Sequence, residues 1–252
     1  MRHLRFTRKP LGAHGSRDGF TIAELMITIA IAVLIGSFAI PKLLAARPVA
    51  NESAVISTLR SIAAAQAQVK ATVAMDTDLD GVGEYAYLGE LAGASPLREH
   101  DGAGGIELGA SFLNPDALST AFGDVQDGAV LRSGYYFRMF LPNGESEPKG
   151  VPEDPNGGYT VGSDLDNSQA EVFWCCYAWP QLAGRSGNRA FFINQTGDLL
   201  QFNNRQEADR YSGIDGGPEY SAAYIAEDMS GPTANSAAGP VGFDGNEWKV
   251  TQ

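Results

Sequence analysis

Residues Gly19 to Pro41 read GFTIAELMITIAIAVLIGSFAIP, and this stretch decides how the rest of the chain is organised. Between the glycine and the proline lie 21 residues, of which Glu24 alone carries a charge. As a helix rising about 1.5 Å per residue it measures roughly 30 Å, the thickness of a bilayer's hydrocarbon core. The segment is therefore long enough to span a membrane. Its one carboxylate stands out, because an isolated charge in lipid costs at least ~2.5 kcal/mol and usually marks a function. The plainer alternative places Glu24, near the segment's start, at the headgroup level.

The preceding residues, MRHLRFTRKPLGAHGSRDG, have no apolar run, and Arg2, Arg5, Arg8, Lys9 and Arg17 against Asp18 give them +4. Positive flanks stay in the cytoplasm, so everything after Pro41 is expected across the membrane. A secretory signal would place its apolar region before the cleavage site. Here the glycine comes first, so a cut after Gly19 removes the charged leader and leaves the helix attached.

Gly19-Phe20-Thr21-Ile22-Ala23-Glu24-Leu25-Met26 resembles the processing signature GFTxxEL of type IV pilins and of the pseudopilins of type II secretion. Pro41, 21 residues beyond Phe20, falls where those proteins carry a helix-kinking proline. The likeness covers residues 15–45. It implies cleavage between Gly19 and Phe20 by a prepilin peptidase, N-methylation of Phe20, and pairing of Glu24 with the terminal amine of a neighbouring subunit during filament assembly. An amine and a carboxylate in an apolar bundle are each costly alone and much less so together. The expected setting is a bacterial inner membrane crossed once, leader in the cytoplasm and head outside, in contact with membrane lipid and then with other subunits of a pilus or pseudopilus.

Removing the leader's +4 from a whole-chain charge of −12 leaves −16 over the remaining 233 residues. So acidic a domain is soluble and self-repelling, and no nucleic-acid partner is expected. Thirty glycines and 13 prolines point to a loop-rich head, while 44% hydrophobic residues suffice for a core. Cys175 and Cys176 are the only cysteines, and adjacent residues are no disulfide framework. Two small side chains buried in a strand are expected, over a strained vicinal disulfide.

Beyond Pro41, Val55, Leu59, Ile62, Gln66, Val69 and Val73 recur at spacings of three and four, predicting an amphipathic second half of the stem over 42–75. Unbroken from Phe20, the stem would be roughly 80 Å long. Pro41 and Pro48 are expected to interrupt its hydrogen bonding, with Asn51 and Glu52 re-capping a second piece.

The head is expected over 76–252. Asp76-Thr77-Asp78-Leu79-Asp80-Gly81-Val82-Gly83-Glu84 opens it with the D-x-D-x-D-G pattern of calcium-wrapping loops, in which alternate carboxylates turn inward and Gly81 allows the sharp turn. Tyr87 stands where an EF-hand has its twelfth-position acid, so Glu84 or Glu90 would have to complete a site formed by Asp76, Asp78 and Asp80. An acidic turn that ends the helix is the alternative. Residues 85–91 read as a helical turn or an edge strand, 93–110 as glycine-rich loop, and 114–118 as a short helix start. Strands are expected over 134–141, 171–179 (apolar on both faces, hence central), 188–194 and 198–202, with 142–168 a polar loop. Residues 203–252 would wrap the head, with one short helix near 221–229. The fold class is thus α+β: a long N-terminal helix on a small antiparallel sheet of about four strands, spanning about 134–202.

Catalysis is not expected. His3 and His14 belong to the leader, which leaves His100 alone in a glycine-rich loop, and no nucleophile, phosphate or dinucleotide fingerprint stands out. Three roles follow: a filament subunit, a membrane-tethered binding domain using the helix as anchor, and an anchored hydrolase. An anchor needs neither Glu24 nor the Gly19-Phe20 junction, so those residues favour the filament. Pilus and pseudopilus are not separated, since no spaced cysteine pair marks a major pilin and the acidic loop lies far from the C-terminus, where pseudopilins hold calcium.

Overall fold

The computed structural model describes residues 19–206, 210–235, 239 and 241–251. They fall into two compact units that meet between Leu44 and Ala45, and the fold is α+β. Helix α1, Ile22–Ala71, contributes to both. Its first part is long and apolar enough to cross a membrane. From Gly19 to Leu44 every residue is exposed except half-buried Gly36.

α1 is one helix through Pro41 and Pro48, with no second piece starting after Pro48. A proline removes one N–H donor, and the helix-forming residues on both sides keep the remaining ladder. Asn51 and Glu52 therefore cap nothing. The Asn51 amide donates to the carbonyl of Ser186 (2.8 Å), and the Glu52 carboxylate takes the Asn188 amide (2.7 Å) and the Arg189 guanidinium (2.8 Å), fastening the helix to a distant loop and strand. The amphipathic stripe buries as its spacing predicts, through Val55, Leu59, Ile62, Gln66 and Val69. Gln66 escapes the burial penalty because its side chain donates to Ala86 O (2.7 Å) and accepts from Ala86 N (2.9 Å).

The helix ends earlier than expected, at Ala71, in a Schellman turn: Val73 N bonds to Lys70 O and Ala74 N to Val69 O. Val73 takes the left-handed conformation (φ 50°) that glycine usually fills. The returning chain passes so close that a Cβ on Gly83 would lie 2.2 Å from Lys70 O.

The second unit is built on an eight-stranded antiparallel sheet. Its strands are β3 (Val125–Gln126), β4 (Ala129–Arg132), β5 (Tyr135–Pro142), β6 (Gly150–Pro152), β7 (Cys175–Pro180), β8 (Arg189–Asn194), β9 (Leu200–Asn203) and β10 (Trp248–Val250). Their order is β10-β9-β8-β7-β5-β4-β3, with β6 beside the far end of β5. A separate hairpin pairs β1 (Arg98–His100) with β2 (Ile106–Leu108). The central strand is β7, as its apolar run predicts, and all six of its residues are buried. Cys176 and Ala178 join the core beneath α1, with Leu59, Ile62, Phe137, Phe191 and Trp174. Cys175, Tyr177 and Trp179 face a second core on the other side, with Phe192, Tyr224 and Trp248. Both cysteines are free, and successive residues of a strand point to opposite faces, so no vicinal disulfide forms.

Four of the eight strands (β3, β4, β6 and β10) were not expected, and other local readings change. Residues 85–91 resolve as the turn α2, Leu88–Leu91. The 93–110 loop contains the β1–β2 hairpin, and 142–168 contains β6 and the start of α3, Asn167–Ala170. No helix starts at 114–118, because the amides of Ala117 and Leu118 both go to Leu91 O. The C-terminal wrap forms turns at 221–229 rather than a helix.

Candidate functional site

The helix start is built by a local exchange of hydrogen bonds. Thr21 N and Thr21 Oγ1 both donate to Glu24 Oε2 at 2.9 Å, and Glu24 N donates to Thr21 Oγ1 at 3.2 Å. This is a capping box, in which two backbone donors that a helix start leaves over find partners. Its signature, T-x-x-E, lies in the quoted stretch, yet the sequence reading gave Glu24 only an intermolecular role and passed over Thr21. Gly19 and Phe20 precede the box, and Phe20 is 90% exposed. The leader ahead of Gly19 lies outside the described residues, as do His3 and His14. Pro41 sits on the same exposed apolar rod.

The acidic loop divides where the sequence reading joined it. Oxygens of Asp76, Asp78 and Asp80 lie within 4.8 Å of one another, a hard donor set that would suit Ca²⁺. Asp76 also accepts the amides of Asp80 (3.1 Å) and Gly81 (3.0 Å), so the loop shape does not wait for a cation. Glu84 does not belong to this set. Its Oε1 takes the amide (2.7 Å) and hydroxyl of Thr77, and its Oε2 takes Arg98 (3.0 Å), with both Glu84 and Arg98 buried. Glu90 is committed likewise: Oε2 accepts Tyr87 N (2.8 Å) and Oε1 accepts Arg98 Nε (3.1 Å). A guanidinium fourteen and eight residues away gives one N–H to each acid and so holds both away from the loop. The sequence reading missed two neighbours of the loop, Ser168, whose hydroxyl donates to Asp78 (3.3 Å), and Glu171. Partial burial, then Asp80, Asp78 and Glu84, raise the Glu171 carboxyl above its ordinary range. Separated from the loop by some ninety residues of sequence, they carry no local signal.

His100 is half-buried, with Nδ1 2.8 Å from the carbonyl of Thr77, so that nitrogen carries the proton and braces the acidic loop. Burial pushes both cysteine thiols well above their ordinary range and makes them poor nucleophiles.

Comparisons with protein-family models, with curated proteins and with solved structures returned no match.

Proposed function

We propose that the chain is a non-catalytic structural subunit, pilin- or pseudopilin-like, of a type IV pilus or a type II secretion filament. A prepilin peptidase cuts after Gly19, Phe20 is methylated on its new amine, and the subunit waits in the inner membrane with its head outside. The observation that carries this reading is the helix segment up to Leu44, apolar on every side and exposed on every side, with Glu24 as its single acid. A helix that is apolar all round belongs in lipid or among other helices. Lipid alone would satisfy an anchor, and the capping box would serve an anchor too, so the filament reading rests on Glu24 together with the Gly19-Phe20 junction.

Glu24 has a part in both settings. In the free subunit both Thr21 bonds go to Oε2, which holds the carboxylate at the helix start. Oε1 is left to receive the ammonium of a neighbouring Phe20, and the two charges then offset each other's burial. Glu24→Gln separates the two roles, because glutamine also closes a capping box but has no charge. The variant should insert in the membrane and fail to enter filaments. Normal incorporation would remove the charge from the assembly role, and absence of the unsubstituted chain from filaments would leave the tethered-domain reading. Mass spectrometry of the mature chain should find a methylated Phe20 at the N-terminus, and any other N-terminus overturns the processing step.

A further inference from the structure

Three carboxylates and one guanidinium are shut inside the head. Glu84, Glu90, Glu153 and Arg98 are all at most 2% exposed. Arg98 binds Glu84 and Glu90, so that trio already carries one negative charge more than it can neutralise. Each oxygen of Glu84 and of Glu90 accepts at least one hydrogen bond. Glu153 differs. Its Oε1 takes the amides of Gly89 (2.6 Å) and Gly158 (2.9 Å), and among the described residues no cation pairs with it and its buried Oε2 has no hydrogen-bond partner.

We propose that Glu153 is a proton-holding latch: its carboxyl stays neutral while it ties α2 to the 154–158 turn, and its ionisation releases that junction. The site is shaped for the group. A Cβ on Gly89 would lie 2.5 Å from Ser95 Oγ and 3.0 Å from Glu153 Oε1, and one on Gly158, at φ 82°, 2.7 Å from Ser95 Cβ. At these two positions only a residue without a side chain fits. A second uncompensated charge beside the Arg98 trio has nothing to stabilise it, since two amide donors do not replace a hydration shell. Burial first, and then the Glu90 carboxylate, hold the Glu153 carboxyl up at about 8 against the pull of the Gly158, Gly89 and Leu88 amides. The other titratable groups facing it are Tyr87 ahead of α2 and Cys176 on β7, with Tyr159 beside Tyr87. Burial keeps Tyr87 and Cys176 neutral over the same range, so Glu153 is the group that switches.

A carboxyl whose folded pKa is raised favours the folded state most below its unfolded value near 4.5, and that advantage is gone once pH has risen through about 8. Opening that exposes this carboxyl to water and lets it ionise grows about tenfold per pH unit between those two values and levels off above the upper one. Hydrogen exchange of the full chain in detergent micelles, corrected for intrinsic rates, reads this directly. Between pH 6 and 8, peptides covering 87–95 and 150–160 should lose protection in that proportion and level off by pH 9.5, while β8 stays unchanged. Glu153→Gln, which keeps the acceptor oxygen and cannot ionise, should remove the pH dependence. Equal slopes in the two proteins overturn the latch, and so does a β8 response as large as that of the junction. Should the variant not fold, infrared difference spectra of the unsubstituted chain decide the matter: a protonated-carboxyl band is expected at pH 7 and should vanish by pH 9.5. Its absence at pH 7 also overturns the proposal.

Discussion

Replacing Arg98 by methionine tests the buried ion cluster most severely. Arg98 is 1% exposed, forks to Glu84 (3.0 Å) and Glu90 (3.1 Å), and also donates to the carbonyl of Tyr85. Methionine fills much of the same space but takes the Arg98 donor from one oxygen of each carboxylate and from the Tyr85 carbonyl. Breaking a buried pair by removing one partner costs about 3–5 kcal/mol, because a buried charge is left uncompensated. For a head of this size that is a fall in Tm of roughly 6–20 °C, at about 2–4 °C per kcal/mol. Urea unfolding of the full chain in micelles, followed by fluorescence of the buried Trp174, Trp179 and Trp248, would measure it. The deficit should also depend on pH. Burial already raises Glu90 in the intact protein, with Arg98 opposing it, so loss of Arg98 lifts Glu90 further. A carboxyl raised in the folded state is most favourable below its unfolded pKa near 4.5, so the variant should recover part of the loss as pH falls from 8 towards 5. Arg98→Lys keeps the charge but loses the fork, and should fall between the two. A methionine variant within 1 kcal/mol of the parent, or a deficit that does not change with pH, would refute the account of this cluster.

Three further outcomes are expected. Gln66→Leu leaves the amide and carbonyl of Ala86 without their buried partner and should lower unfolding free energy by about 1–3 kcal/mol in the same assay, although leucine is the more apolar side chain. Val73→Gly removes a β-branched residue from a left-handed backbone position while giving up little burial, since Val73 is 41% exposed; the urea midpoint should rise, by the equivalent of about 1 kcal/mol. If the 76–80 loop takes Ca²⁺, a hundredfold excess over Kd should stabilise the chain by about 2.7 kcal/mol and a chelator should reverse it, whereas Asp78→Asn should blunt the response. A Tm indifferent to Ca²⁺ and chelator rules out that use of the loop.

Signals repeated along a single element were legible in the sequence. The spacing from Val55 to Val69 gave the buried face of α1, and the unbroken apolar run at 173–179 gave a strand covered on both sides. What stayed hidden depends on partners far along the chain. Glu84 sits at a spacing that suits a cation loop, but the competing donor, Arg98, comes from a hairpin obscured by the glycines at 102, 104 and 105. Strand β10 has three residues and exists only through its pairing with β9, some 45 residues earlier. Proline at 41 and 48 each removes a donor from α1 without ending it, because the residues on both sides are good helix formers. Glu153, with two glycine amides as its partners, offers no pattern at all in a linear reading.

The two cysteines on opposite faces of β7 leave the described surface without a thiol. A cysteine introduced at any exposed position of the rod, such as Ile27 or Leu34, would be the one reactive thiol in the native chain. Site-directed cross-linking can therefore map which residues of neighbouring copies meet, in membranes or in filaments, without first stripping the protein of its own cysteines.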